Sequence, residues 1–387
     1  MKRPILLAIS LLMALSAVAQ GYQTHFQSAT EPQTLLPNIP RASARHEIFL
    51  PSIKGYTAYK ADLHMHSTYS DGVMKYTGKG RVYEAWRDGL DVIAVTDHMG
   101  IKNYADKQGE TTPEDAKKKK GTRPTQAVND AVKLAGDYGI LAIPGVELTG
   151  DPKTLGHFNA LFTTDNKIIF DYNPLQCIRN ARQQGALIMH NHPGWRQTTL
   201  EMNDFVKSVY AEKLVDGIEI MNGAFFYPRA IETAKENNYF FAATTDIHGT
   251  TAETYREVGH MRNMTIIFAK ELTSEAIREG LEARRTLAYS FGVLAGEEGL
   301  LKEFFNASIE TRKLAVSVAK SKKKVQRVML TNKSSIPYTL QFGKGNPTIL
   351  PALSSIIVTA KPGKPLQFTV ANLWYGMDQH PVIKLKY

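Results

Sequence analysis

The stretch KADLHMHSTYSDG, residues 60–72, decides how the rest of the chain is interpreted. His64 and His66 stand two positions apart near the end of an apolar run, so on an extended strand their side chains point to the same side. Asp71 and Gly72 follow five and six residues after His66. Two imidazoles near a carboxylate are typical ligands of a divalent metal, so the stretch predicts a metal site. The alternative is a polar strand end with incidental histidines.

The composition is that of a globular protein long enough for one large and one small domain. The chain has 387 residues, of which 43% are hydrophobic and 22% are charged, as is usual for globular proteins. Its formal net charge is +10, which favours anionic partners. The basic residues are spread along the chain, however, so we do not expect nucleic-acid binding, and the sequence implies no particular protein partner. The densest basic run, Lys117–Lys120, is predicted to be a solvated loop.

The N-terminus has the pattern of an export signal. Two basic residues precede an apolar run over 5–15 and a small-x-small pattern over 17–19, which is typical of a cleaved leader. We therefore predict a signal peptide over 1–19, a linker over 20–54, and a periplasmic or extracellular protein. The apolar run is short for a transmembrane span, and no other stretch is predicted to cross a membrane. An uncleaved anchor or a buried helix is the alternative.

Short apolar runs alternate with amphipathic stretches between about residues 55 and 290, which predicts an α/β fold with a parallel sheet or barrel. Several runs are apolar throughout, as strands covered on both faces are. The predicted strands are Thr57–Leu63, Asp91–Thr96, Ile140–Val146, Phe158–Phe162, Ala186–Met189, Gly217–Met221, Phe240–Thr245 and Met264–Phe268. The predicted helices are Gly80–Asp88, Thr125–Tyr138, Pro174–Gln184, Leu200–Tyr210, Pro228–Asn237 and Ser274–Arg284.

The pattern changes after about residue 306. Short alternating runs separated by turn residues predict a small antiparallel β-sandwich over 307–387. This part contains one histidine, His380, and no cluster of acids. We therefore expect it to serve in packing or attachment rather than catalysis.

Histidines and acids recur beside the predicted strand ends. In a barrel of parallel strands the carboxyl ends meet at one face, so we expect these side chains to converge there. His157 differs from the others, because it stands at the beginning of its strand. Seven of the chain's 11 histidines belong to this set, and its members are His64, His66, Asp71, Asp97, His98, Glu147, His157, His190, His192, Glu219, Asn222, Asp246 and His248.

Taken in order, DLHMHSTYSDG, AVTDH, PGVEL, NHPG and TDIHG resemble the motifs of the PHP (polymerase and histidinol phosphatase) domain family, over roughly residues 55–290. The stretches EAWRDGLDVIAVTDH, GHFNALF, NHPGW and TIIFAKELTSEAIREGLEARRT are similar to a group of secreted PHP phosphodiesterases. The resemblance implies a distorted seven-stranded barrel, here assigned to 55–306. It also implies two or three bound divalent metal ions and hydrolysis of a phosphoester.

The same resemblance implies nine metal ligands in this chain. The Asp71 position is a histidine in many relatives, and a carboxylate there still ligates. His157 stands in a short motif, whose spacing from Glu147 varies between branches of the family. The implied sites are a first one of His64, His66, Glu147 and Asp246, a second in which Glu147 bridges to His157 and His192, and a third of Asp71, His98 and His248.

The residue types agree with this chemistry independently. Mixed imidazole and carboxylate ligands suit Zn²⁺, Mn²⁺ or Fe²⁺, whereas Ca²⁺ prefers oxygen ligands almost alone. A water shared by two cations loses its proton near neutral pH and can attack a phosphoester. We therefore predict a phosphoesterase that uses a metal-bridged hydroxide, and the resemblance implies that it is a phosphodiesterase. A phosphomonoesterase, a metal-dependent amidohydrolase, a metal- or phosphate-binding module and a nuclease remain open as alternatives.

Five neighbours of the ligands have predicted roles. His190 is a candidate to protonate the leaving group, with a structural histidine as the alternative. Arg262 is a candidate phosphate contact. Asp97 could accept a hydrogen bond from an imidazole, with a plain structural role as the alternative. Glu219 and Asn222 are expected to form hydrogen bonds rather than to ligate.

Substrate specificity is expected to lie in the loops. The segment Met99–Thr125 is the predicted specificity loop or lid. Trp195 and Tyr104 could line a pocket for an organic group, with ordinary packing as the alternative.

Overall fold

The computed structural model describes residues 45–73, 77–101, 113–196, 201–318 and 324–387. The predicted signal peptide, most of the predicted linker and Tyr104 lie outside the described residues. In the part of the chain that the structure describes, every helix is too short or too polar to cross a membrane.

The first two-thirds of the described chain alternates strands and helices. The strands are β1 (Thr57–Met65), β2 (Val92–Val95), β3 (His98–Gly100), β4 (Leu141–Ala142), β5 (Gly145–Thr149), β6 (His157–Leu161), β7 (Leu187–His190), β8 (Gly217–Asn222), β9 (Phe225–Phe226), β10 (Phe240–Thr244), β11 (Met264–Ala269), β12 (Thr286–Ser290) and β13 (Val293–Ala295). The helices are α1 (Gly78–Arg87), α2 (Pro113–Ala135), α3 (Pro174–Gln183), α4 (Asp204–Ala211), α5 (Pro228–Asn237), α6 (Ser274–Glu282) and α7 (Glu298–Ser308).

Two sheets contain these strands, and both mix parallel with antiparallel pairs. Their orders are β13-β12-β11-β1-β2-β4 and β10-β8-β7-β6-β5-β3. The predicted α/β class is confirmed, but uniformly parallel pairing is wrong. Strand β6 runs antiparallel to β5, because residues 150–156 alone connect them. A parallel crossover needs roughly a dozen residues or more.

The predicted strand Ile140–Val146 is two strands in different sheets. Strand β4 pairs with β2, whereas β5 pairs with β3 and β6. Pro144 lies between them and has no N–H for a ladder, and its carbonyl accepts a hydrogen bond from the backbone N–H of Phe162 at 2.6 Å. A proline at this position therefore allows the chain to leave one sheet and enter the other.

The predicted loop at Lys117–Lys120 is wrong, because this run lies within helix α2. Gly121 follows this run, and its lack of a side chain allows the helix to pack closely against residues 166 and 167. A β-carbon at Gly121 would stand 2.4 Å from the Cα of Lys167, so only glycine permits this close approach. The helix also continues through Pro124. The part of the predicted Met99–Thr125 lid that the structure describes is therefore strand and helix at its two ends.

Helix α4 begins at Asp204, later than the predicted start at Leu200, which lies outside the described residues. The side chain of Asn203 accepts a hydrogen bond from the backbone N–H of Val206 at 2.9 Å. This is a standard N-cap, which satisfies one of the free N–H groups at the start of a helix.

The last part of the chain forms antiparallel pairs, as predicted. One sheet consists of β14 (Ile309–Val318), β15 (Lys324–Asn332) and β18 (Ser355–Ala360), and the other of β16 (Tyr338–Gln341), β17 (Thr348–Leu350), β19 (Leu366–Val370) and β21 (Val382–Leu385). Strand β20 (Leu373–Trp374) pairs with β13. Phe304 and Phe305 of α7 are buried in one core with Val328, Tyr338 and Phe368, so the helix joins this part to the rest.

Candidate metal centre

The nine predicted ligands come together at one edge of the two sheets. Four overlapping groups of their ligand atoms each lie within 4.8 Å of one another, counting only the described residues. The antiparallel direction of β6 explains the unusual position of His157, because Thr149 at the end of β5 pairs with His157 at the start of β6. The groups are His64, His66 and Glu147; His64, His192 and Asp246; Glu147, His157 and His192; and His66, Asp71, His98 and His248.

The first predicted site has the spacing of a metal-binding group. Nε2 of His64 lies 3.1 Å from Nε2 of His66 and 3.4 Å from Oε1 of Glu147. Oδ1 of Asp246 lies 2.9 Å from Nε2 of His66. Two ligand atoms bound tetrahedrally at about 2.1 Å from one ion are roughly 3.4 Å apart. The side chains therefore fit around a single cation with little rearrangement.

Glu147 stands at the centre of the cluster. It is fully buried, and its Oε1 lies 3.0 Å from Nδ1 of His157 and 3.6 Å from Nε2 of His192. Its Oε2 lies 2.5 Å from Nδ1 of His98. Burial raises the pKa of a carboxyl group, but the surrounding histidines, with His64 foremost, hold the pKa of Glu147 well below its usual range. Glu147 therefore carries a negative charge in the interior, between the three predicted metal sites.

The third predicted site is the most exposed of the three. Oδ1 of Asp71, whose side chain is 56% exposed, lies 3.3 Å from Nε2 of His98 and 3.2 Å from Nε2 of His248. The rings of these two histidines each lie 4.2 Å from the ring of His66. Burial lowers the pKa of His98, but its hydrogen bonds to Asp71 and Glu147 outweigh this and raise the pKa to about 10. The site opens to solvent on this side.

Glu219 forms hydrogen bonds, as predicted for it. Its Oε1 lies 2.8 Å from Nδ1 of His64 and accepts a hydrogen bond from the hydroxyl of Thr244 at 2.6 Å. Its Oε2 accepts hydrogen bonds from the backbone N–H of His192 at 2.6 Å and from the side chain of Asn222 at 2.8 Å. A carboxylate on the far nitrogen of a histidine orients the ring and increases its basicity toward a metal.

Two asparagines that the sequence analysis did not single out orient Glu147. The amide of Asn191 donates to Oε1 of Glu147 at 3.0 Å and to Oδ1 of Asn159 at 2.9 Å. Asn159 in turn donates to the carbonyl of Leu63 in β1 at 3.0 Å. Two features of the sequence could have identified them. Asn159 stands within a mostly apolar predicted strand, and Asn191 stands between His190 and His192.

Arg81 is a further residue that the sequence analysis missed. Its side chain is fully buried, and its guanidinium donates to the carbonyls of His66 at 2.6 Å, Ile247 at 3.1 Å, His248 at 3.1 Å and Gly249 at 2.8 Å. Arg81 also pairs with Glu84 at 2.7 Å. One guanidinium on α1 thus holds the two loops that carry the outer ligands.

Two of the predicted ligands have unusual backbone conformations. His192 has φ 26° and Asp246 has φ 51°, which lie in the left-handed region that non-glycine residues seldom adopt. The backbone N–H of Asp246 donates to the carbonyl of His64 at 2.9 Å. Strained conformations of this kind persist where the surroundings over-determine them, and they cluster at functional sites.

Asp97 has the structural role that was the alternative, and its predicted contact with an imidazole is wrong. Its carboxylate accepts hydrogen bonds from the backbone N–H of Ser67 at 2.8 Å, from the Ser67 hydroxyl at 2.6 Å and from the Ser70 hydroxyl. These partners lie in the turn after β1. Asp97 therefore stabilises the turn that leads from His66 to Asp71, and no imidazole is among its partners in the described residues.

The predicted phosphate contact of Arg262 does not agree with its position. Arg262 is 3% exposed, and its guanidinium pairs with Asp62 at 2.5 Å and with Asp88 at 3.3 Å. Asp62 also accepts hydrogen bonds from the backbone N–H groups of His64 and Thr245. Because reaching a phosphate would break a buried ion pair, we assign Arg262 to stabilising the interior through its pairs with Asp62 and Asp88.

His190 lies beside the cluster in a different role from the predicted acid. Its Nδ1 lies 2.9 Å from the hydroxyl of Tyr210, and its ring stacks on Phe158 with the centroids 4.9 Å apart. Burial, with smaller contributions from His192 and His157, lowers the pKa of His190 to about 3. The ring is therefore neutral at pH 7 and holds no readily released proton for a leaving group.

Comparison with known proteins finds an extensive structural likeness. The chain is similar to the crystal structure of a two-domain protein from Bacteroides vulgatus ATCC 8482 that contains a predicted PHP-like metal-dependent phosphoesterase. The TM-score is 0.77 at 29% identity, covering 89% of this chain and 99% of that chain. No family model and no curated protein sequence matches the chain.

Two other solved structures share less with this chain. One is a candidate metal-dependent phosphoesterase from Bifidobacterium adolescentis, with a TM-score of 0.38 at 14% identity, covering 59% of this chain and 97% of that one. The other is a lesion-specific endonuclease from Pyrococcus furiosus, with a TM-score of 0.40 at 14% identity, covering 77% and 70%. Neither likeness is extensive enough to bear on the activity.

Proposed function

We propose that the chain is an exported metal-dependent phosphoesterase whose preferred substrates are phosphodiesters. A hydrolase that acts on phosphoester bonds agrees with the Bacteroides vulgatus structure, to which the chain is similar over most of its length. The observation that carries the proposal is the buried carboxylate of Glu147, whose oxygens lie within 3.6 Å of nitrogens from five histidines. Binding of a shared set of cations would explain why so many imidazoles surround one carboxylate.

We propose that the nine side chains bind two or three divalent ions, with Zn²⁺, Mn²⁺ or Fe²⁺ as candidates. The donor set supports this, because six imidazoles and three carboxylates suit borderline transition metals. When bound, such ions activate water and neutralise the charge of phosphoryl oxygens. In this proposal Glu147 bridges the first and second sites. Its hydrogen bond from Asn191 and the contact of Glu219 with His64 hold both groups in their binding orientation.

The environment of the cluster supports hydrolysis of a bound ester rather than metal storage. His64, His66 and Glu147 are fully buried, which keeps bulk water away from the inner ligands. Asp71 and His248 stand at the exposed side, with side chains 56% and 40% exposed. A phosphoester can therefore approach the cluster from this side. The inner residues then form a rigid, charged base of the site. Charged groups that are held in place before the reaction stabilise its transition state.

Preference for diesters rests on the resemblance to secreted PHP phosphodiesterases. A phosphomonoesterase on the same site and a metal-dependent amidohydrolase are the alternatives. We propose a small phosphoester rather than a nucleic acid as substrate, because the basic residues do not cluster along the sequence.

We extend the proposal to the organisation of the chain. Residues 1–19 would be a signal peptide and 20–54 a linker. Residues 55–306 would form the distorted seven-stranded barrel, and 307–387 the antiparallel sandwich. A parallel bridge between Met65 and Ile247 joins the two sheets beside the site, which supports closure of a barrel. Antiparallel pairing after residue 309 supports the sandwich.

The experiment that tests the function compares substrates on one metal-loaded preparation. The chain from Gln20 onward, supplied with Mn²⁺, is assayed on bis-p-nitrophenyl phosphate, on p-nitrophenyl phosphate, on single-stranded DNA and on an N-acyl amino acid. Faster cleavage of the diester than of the monoester supports the proposal. Preference for the monoester, for DNA or for the amide would replace it with the corresponding alternative.

A further inference from the structure

A small cavity opens directly beside the second predicted metal site and extends between strands β7 and β8 and helix α4. Its volume is about 30 Å³, which is room for roughly two water molecules or a group of one or two carbons. The described residues that line it are Pro152, Gly156, His157, His190, Asn191, His192, Pro193, Trp195, Glu201, Met202, Asn203, Val206, Ile218 and Thr233.

The walls of this cavity place any occupant next to the metal ligands. The ring of Trp195 lies 5.3 Å from the ring of His157 and 5.2 Å from the ring of His192. Met202 and Val206 line the side formed by α4 and the residues before it. A phosphate held by cations at the second site would therefore direct one of its substituents past Trp195 toward these apolar side chains.

The charges around the cavity disfavour an ionic occupant. Among the described residues that line it there is no lysine or arginine, and Glu201 is acidic. The guanidinium of Arg196 lies 4.5 Å over the ring of Trp195, outside the cavity lining. A second phosphate or a carboxylate would therefore lack a cationic partner there, whereas an uncharged alkyl group would pack well.

His190 supplies a hydrogen-bond donor at the buried side of the cavity. Nδ1 of His190 lies 2.9 Å from the hydroxyl of Tyr210, and we take that hydroxyl as the donor of this hydrogen bond. When Nδ1 of a neutral imidazole accepts, Nε2 carries the proton. Nε2 lies near Gly156, 4.0 Å from where a β-carbon on that residue would stand. Gly156 and His190 both line the cavity.

We propose that this cavity is an ester pocket, which binds one small, uncharged alkyl substituent of a phosphodiester while Nε2–H of His190 donates a hydrogen bond to its oxygen. The inference rests on the proposed function and deepens it by naming the substrate class. A phosphomonoester has no second substituent to fill the pocket, so occupancy of the pocket gives a physical reason for preferring diesters.

The test uses methyl, ethyl and n-butyl esters of p-nitrophenyl phosphate with the Mn²⁺-loaded protein, and measures kcat/KM from release of p-nitrophenolate. One extra methylene that a hydrophobic pocket cannot accommodate costs about 10-fold or more in kcat/KM. We expect the butyl ester to be cleaved at least about 10-fold less efficiently than the ethyl ester. Met202→Ala should enlarge the pocket and reduce this discrimination several-fold. Met377→Ala, at a side chain that is 45% exposed in the last part of the chain, is the matched control and should keep the wild-type ratio.

His190→Phe tests the donor separately, because it keeps a flat ring and removes both nitrogens. We expect kcat/KM for the ethyl ester to fall about 10-fold or more, as when a buried hydrogen bond to substrate is lost, while the metal content stays at the wild-type value. Met202→Ala with unchanged size preference, or His190→Phe with unchanged kcat/KM, would overturn the ester pocket and leave the phosphodiesterase proposal standing. A metal-loaded wild-type chain that cleaves none of the diesters would overturn both.

Discussion

The carboxylate of Glu219 contacts two predicted metal ligands, His64 in β1 and His192 just after β7. Its Oε1 lies 2.8 Å from Nδ1 of His64, and its Oε2 accepts the backbone N–H of His192 at 2.6 Å. His64 belongs to the end of β1 and His192 follows β7, so Glu219 on β8 couples the two sheets at the site. Its own geometry is fixed in turn by Thr244 and Asn222.

Glu219→Gln should weaken metal binding without removing a ligand. A glutamine cannot accept from both His64 and His192, and its amide N–H would oppose one of them. Loss of such an orienting contact typically costs about 10–100-fold in metal affinity. Activity titrated with Mn²⁺ should show this shift and recover at high Mn²⁺. Glu212→Gln, in an exposed pair with Arg179, is the control and should match the wild type. An unshifted titration for Glu219→Gln would contradict the assigned role.

Arg81→Lys should loosen the outer ligands while keeping the positive charge. A lysine has one donor group in place of the planar fork that contacts four carbonyls. We therefore expect Mn²⁺ dependence shifted by about 10-fold or more toward higher concentration, the range for residues that orient metal ligands. Arg182→Lys, which changes a half-buried arginine paired with Asp216 away from the site, serves as the comparison. Equal Mn²⁺ dependence in both variants would show that Arg81 does not position the ligands.

Arg262→Met should reduce stability rather than catalysis. The substitution leaves Asp62 buried without its partner, and breaking a buried pair in this way costs about 3–5 kcal/mol. Denaturant unfolding should show that loss, whereas Arg278→Met, in an exposed pair with Glu282, should change stability by less than about 1 kcal/mol. The folded fraction of Arg262→Met should retain its kcat/KM within a few-fold. Normal stability with lost activity would instead restore Arg262 as a phosphate contact.

Metal binding should release protons near pH 7. Without metal the pKa of His98 is about 10, so its ring is protonated at neutral pH. A metal ligand must be neutral imidazole, so binding expels this proton and the affinity rises with pH up to about 10. Calorimetric titration with Mn²⁺ in buffers of different ionisation enthalpy measures the released protons. The Asp71→Asn variant should release fewer protons when it binds Mn²⁺, because the substitution removes an anion that raises the pKa of His98. Affinity independent of pH between 6 and 8 would contradict this account.

The sequence predicted the parts of the fold that depend on local pattern. Apolar runs such as Met264–Phe268 and Gly217–Met221 coincide with β11 and β8, because these strands are buried at every position. The direction of β6 and the division of Ile140–Val146 into β4 and β5 could not be predicted in the same way. They depend on which strands pair across the sheets, and the alternation of apolar residues carries no information about that.

The candidate site was likewise predicted only in part from the sequence. Histidines and acids beside strand ends identified the cluster, because ligands are chemically distinctive and stand in motifs. The supporting residues were harder to predict. Arg81 acts on carbonyls up to 168 residues away, and Arg262 pairs with Asp62 across 200 residues. Arg262 suggested a phosphate contact from its charge alone, and only the folded chain reveals the buried acid that neutralises it.

The most direct test of the central claim is the metal content of Glu147→Gln beside the wild type. Both chains, and Glu212→Gln as a surface control, would be loaded with Mn²⁺, desalted and analysed for metal, with diester hydrolysis measured on the same samples. The account predicts two or three ions per wild-type and control chain, as the resemblance to PHP domains implies. It predicts loss of the bridged ions and of activity in Glu147→Gln, with the chain still folded. A Glu147→Gln protein with the full metal content and the full rate would contradict a centre built on this carboxylate.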